Sequence, residues 1–103
     1  MKPLPVPDAA IADDDSIQML SAWIAQNGLH CSLNIGMWKD MGIDEPRAWG
    51  MLLADAIRHI ADAHHAEYGA PHEQTIGAIQ RGLLNELGDP TTKTEGEFYK
   101  GAN

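Results

Sequence analysis

Asparagine followed by glycine at positions 27 and 28 is the feature that most constrains this chain, because the residues on either side are two alternating apolar runs. A two-residue type I′ turn needs positive φ at both central residues, and Asn-Gly between alternating hydrophobics is its strongest short signal. With Asn27 and Gly28 as the loop, Gln26 faces Leu29, Ile24 faces Cys31, Ala22 faces Leu33 and Leu20 faces Ile35. That side of the ribbon is nearly all apolar. The opposite side pairs Ala25 with His30, Trp23 with Ser32 and Ser21 with Asn34, and is mostly polar. Slipping one residue would mix the two sets. A helix competes for the first run: Ser16 caps it, Ile17, Leu20 and Ile24 share a face, and Gly28 closes it. The strand reading is preferred because the run from Leu29 to Ile35 alternates strictly and needs a strand to pair with.

The flanking segments read differently. Prolines at 3, 5 and 7 predict an extended arm over residues 1–15, ending in the acidic run Asp13, Asp14 and Asp15. The run lacks the spaced ligands and glycine of a calcium loop. After a connector over 37–43, Asp44, Glu45 and Pro46 mark a helix start, with a capping side chain, an acid in the first turn and an early proline. Trp49, Leu52, Leu53, Ala56, Ile57, Ile60, Ala63 and His64 give this helix one broad apolar face, and Gly69 stops it. A second helix restarts at Pro71, presents Ile76, Ile79, Leu83, Leu84 and Leu87, and ends at Gly88. Gly77 and Gly82 weaken it, and are expected to let the helices approach closely. The expected order is ββαα over 16–88, an α+β fold, followed by a flexible tail over 89–103. A lone hairpin has two open edges and is marginal by itself. Homodimerisation into a four-stranded antiparallel sheet is therefore expected.

Seven basic against fifteen acidic residues leave a net charge of −8, which argues against nucleic-acid or anionic-membrane partners. No apolar run approaches the ~20 residues of a membrane-spanning helix. The N-terminal prolines interrupt any signal-peptide core. The single cysteine, Cys31, forms no internal disulfide and suits a reducing compartment, so a cytoplasmic protein is expected.

The blocks Ala22-Trp23-Ile24, Gly28-Leu29-His30-Cys31-Ser32-Leu33, Ala48-Trp49-Gly50 and Leu52-Leu53-Ala54-Asp55, with Gly36, Pro46, Arg58 and His59, resemble a small bacterial family of uncharacterised domains. The resemblance spans roughly residues 5–92, departing at Cys31, where a β-branched residue is expected, and in a longer connector over 39–45. It implies a small cytoplasmic protein and carries over no catalytic residue.

Three groups of side chains are candidates for chemistry. Asp55, His59 and Asp62 share a helix face and are metal-ligand types. They lack the His-Glu-x-x-His pattern, and the pairs Asp55/His59 and Asp62/His65 explain them as a solvated helix face. Trp23, His30, Ser32 and Asn34, with Ser21, place an indole among small polar groups, a surface for a flat ligand or a partner chain. Around the helix start, near Trp38, Trp49 is read as anchoring the long helix on the ribbon, with Gly50 permitting close packing there. No phosphate loop, paired Cys-x-x-Cys or Gly-x-Ser-x-Gly occurs. No catalytic residue or cofactor is implied. The expected role is a non-catalytic interaction or adaptor domain, with a small-ligand or metal-binding protein as the competing class.

Overall fold

The computed structural model describes residues 1–101. Among the described residues the protein is α+β, with a three-stranded sheet and four helices: α1 Asp8–Ala12, β1 Leu20–Ala25, β2 Gly28–Ile35, α2 Met37–Asp40, α3 Glu45–Tyr68, α4 His72–Gly88 and β3 Glu95–Lys100. No helix among the described residues is long and apolar enough to cross a membrane. The chain divides into two compact units. One joins Met1–Met37 to the segment beginning at Thr94, and the other is Trp38–Lys93.

The hairpin forms, and its register differs from the expected one. Gln26 and Asn27 occupy the turn, with φ of 50° and 63°, so both central residues have the positive φ of a type I′ turn. Ala25 pairs with Gly28, Ile24 with Leu29, Trp23 with His30, Ala22 with Cys31, Ser21 with Ser32 and Leu20 with Leu33. Each β1 residue has moved two places along β2. An even shift leaves every side chain on its original face. Polarity accounts for the change. In the expected register Gln26 is the polar residue on the apolar side, and in the observed one it sits in the turn.

A third strand replaces part of the expected tail. β3 pairs parallel to β2, from His30 opposite Glu95 to Ile35 opposite Lys100, giving the sheet order β1-β2-β3. The four-strand expectation counted only two strands per copy, because a parallel partner some 60 residues downstream leaves no turn signal. Gly96 makes this pairing possible. Its φ is 130°, and a Cβ there would overlap the backbone of Cys31. Residues 102–103, the end of the expected tail, lie outside the described residues. The N-terminal arm is likewise not extended throughout. Pro7 accepts hydrogen bonds from Ala10 N–H (3.0 Å) and Ile11 N–H (3.1 Å), which starts the single turn of α1.

In the second unit α3 and α4 form an antiparallel hairpin. α3 begins after Asp44 with Pro46 in its first turn and ends at Gly69, which has φ of 68° and donates its N–H to His65 O. The Asp44 side chain makes no capping bond; its carbonyl accepts from Ala48 N–H at 3.0 Å. The covered stripe is narrower than the expected apolar faces. Ala61 is the one fully buried apolar residue among those described, with Leu52, Ile57, Ile76 and Ile79 half-buried. Leu53 and Ile60 on α3, and Leu84 and Leu87 on α4, are exposed. The glycines do not bring the helices together: a Cβ at Gly50 or Gly82 would meet nothing within 4 Å, and at Gly77 only the tip of Arg81.

Candidate functional site

Strand alternation places Ser21, Trp23, His30, Ser32 and Asn34 on one face of the sheet, and β3 adds Glu95, Glu97 and Tyr99 to it. The four candidates Trp23, His30, Ser32 and Asn34 are thus brought together. Trp23 Nε1–H donates to Ser21 Oγ at 2.6 Å, which fixes the indole along its own strand. His30 stands opposite Trp23 on one side and Glu95 on the other. Its Nε2 is 3.2 Å from a Glu95 carboxylate oxygen, within ion-pair reach but without the alignment of a hydrogen bond. Asn34 is buried, and its N–H donates to Met19 O at 3.0 Å. Ser21, Ser32, Leu33, Asn34 and Tyr99 surround a small pocket of about 190 Å³.

The three residues of β3 could not be assigned to this face without knowing the parallel register. Tyr99 O–H donates to Glu97 Oε2 at 3.1 Å. That hydrogen bond, then the adjacent negative charge, pushes the phenol's pKa above its usual value. The opposite face carries Leu20, Ala22, Ile24, Leu29, Cys31, Leu33 and Ile35, joined by Phe98. Cys31 is a free, half-buried thiol.

The helix candidates take other partners. Asp55 pairs with Arg58, three residues along, and not with His59. Asp62 reaches across the α3–α4 turn to His72 Nε2 at 2.9 Å, and not to His65. His65 instead sets Nδ1 3.1 Å from Ala70 O, with its ring 4.6 Å from that of His72. His72 lies ten residues from Asp62, so helix spacing gave no signal for the pair. Asp55, His59 and Asp62 border a shallow open depression. Among the described residues no group of three or more His, Cys, Asp and Glu side chains is placed to hold a metal ion.

Trp38 and Trp49 form a local cluster inside the second unit. Trp38 meets Trp49 edge-on at a centroid distance of 5.3 Å. Glu45 accepts from Trp49 Nε1–H and from Lys39 N–H, each at 3.2 Å. The cluster ties α2 to the first turn of α3, with a carboxylate at the positive end of the helix dipole.

A solved structure from the photosynthetic bacterium Rhodopseudomonas palustrus CGA009, described as that of "a putative pyruvate dehydrogenase", is similar in fold. It is 26% identical in sequence with a TM-score of 0.66, and the match covers 91% of each chain. None of the curated proteins matches the chain. The match to residues 3–91 of the family described as "Domain of unknown function (DUF5076)" shows that the chain belongs to that family.

Proposed function

We propose that the chain is a non-catalytic, homodimeric interaction domain that acts by surface recognition. The observation carrying this reading is the exposed apolar face of the sheet: Ile24 is 85% exposed, Leu29 53% and Phe98 69%. Covering such side chains contributes about 25 cal/mol per Å². Large apolar side chains exposed on one sheet face are characteristic of an interaction surface. The outer edge of β1 is also unpaired among the described strands, leaving backbone donors and acceptors for a partner. Trp23 and the polar groups around it supply a second surface, of the amphipathic composition that partner contacts favour.

Light scattering at micromolar concentration tests the proposal, with a dimer as the expected result. A strict monomer with an intact fold would refute it. The competing reading, a small-ligand or metal-binding protein, draws on the pocket beside Asn34 and Tyr99 and on the depression at His59. Zinc-dependent stabilisation that is lost in His59→Ala would favour it over the interaction reading. The likeness to the Rhodopseudomonas structure supports the fold and is neutral between these readings.

A further inference from the structure

The N-terminal arm has an alternation of its own. Residues 2–7 read Lys-Pro-Leu-Pro-Val-Pro. In an extended chain, successive residues aim their backbone N–H and C=O groups at opposite edges. One edge of the arm therefore carries complete pairs from Lys2, Leu4 and Val6. The other carries carbonyls alone, because Pro3, Pro5 and Pro7 have no N–H. Such a segment can end a sheet but cannot continue it, which is where prolines are tolerated in strands.

The arm and β1 border a groove of about 640 Å³, lined by Leu4, Val6, Ile17, Leu20, Ser21 and Trp23. Among the described residues no backbone hydrogen bond joins the arm's first six residues to β1. Leu4 is 89% exposed and Val6 60%. The arm therefore stands off β1 without filling the groove, while β1 keeps an unpaired outer edge.

We infer that the groove receives the N-terminal arm of a second copy, laid along the outer edge of β1, with the two copies exchanging arms. The inference rests on the dimer reading and names the segment that crosses between copies. Three observations favour this occupant over an unrelated peptide. The chain's own arm borders the groove without filling it, so the groove is open to an identical arm from a second copy. Its complete edge matches the open edge of β1. Its proline edge then faces outward, so the assembly closes at two copies and does not propagate as a fibre.

The experiment mixes two forms of the full chain, both with Cys31→Ala. One is unlabelled in nitrogen and carries a spin label on Asp8→Cys, an exposed site at the end of the crossing segment that does not line the groove. The other is ¹⁵N-labelled and has no spin label. Arm exchange predicts paramagnetic broadening of amides 16–23 in the ¹⁵N-labelled copy, and deleting residues 2–7 should weaken dimerisation at least tenfold. A dimer whose amides 16–23 stay sharp in the mixture, or whose affinity survives the deletion, overturns arm exchange and leaves the dimer reading standing. A folded monomer overturns both.

Discussion

Glu86 shows how one side chain can hold the end of an element. Thr91 donates its Oγ1–H at 2.5 Å and its backbone N–H at 3.0 Å to the Glu86 carboxylate. The hydroxyl bond, then the backbone bond, lowers the carboxyl's pKa below its usual value. A depressed carboxylate stabilises the folded state above its unfolded pKa, and that stabilisation is lost as pH falls through the folded value. Thr91→Val removes the hydroxyl donor and should move the Glu86 pKa upward, read by NMR titration of its side-chain carboxyl carbon. An unchanged titration would refute the role given to the hydroxyl. Gly96 carries the opposite kind of constraint, since its positive φ and its contact with the Cys31 backbone leave no room for a side chain. Gly96→Ala should cost about 1–3 kcal/mol in chemical denaturation. It should also strip hydrogen-exchange protection from β3 while leaving the β1–β2 amides protected.

The elements differ in how much of them the sequence discloses. α3 is legible because its signals are local: an early proline starts it and a left-handed Gly69 stops it. The hairpin is half legible. Apolar alternation sorts its two faces correctly, but Asn27-Gly28 and Gln26-Asn27 turns preserve the same parity. Choosing between them depends on where Gln26 is tolerated. β3 is illegible because the sequence Glu95-Gly96-Glu97-Phe98-Tyr99-Lys100 is short and polar, and its partner is distant. For the candidate site, alternation alone brings Trp23, His30, Ser32 and Asn34 onto one face, whereas Glu95, Glu97 and Tyr99 join only through that parallel register. Helix spacing suggested partners for Asp55 and Asp62 but missed Arg58, which side-chain reach selects among neighbours that spacing leaves equivalent, and His72, which lies across the α3–α4 turn where helix spacing gives no signal. In α4, a Cβ at Gly82 would meet nothing within 4 Å. Gly82→Ala should therefore stabilise the chain by about 1 kcal/mol. A loss of stability in thermal or urea unfolding would show that this glycine has a packing role.

At the scale of the molecule, apolar surface outruns what the described chain covers. The sheet leaves Ile24, Leu29 and Phe98 exposed, and the helical hairpin leaves Leu84 and Leu87 exposed. Folded domains are stable by only about 5–15 kcal/mol, so a few well-covered apolar side chains can decide whether such a chain stands alone. A standard protein–protein interface removes about 1,600 Å² of surface in total, enough to cover several of these positions. Pairing through strand edges and apolar faces also accounts for why a small acidic domain would keep such groups at its surface. Sedimentation equilibrium of the full chain over micromolar concentrations tests this claim most directly. The account predicts a species of twice the 11.2 kDa chain mass. A single folded species at 11.2 kDa throughout that range would contradict it.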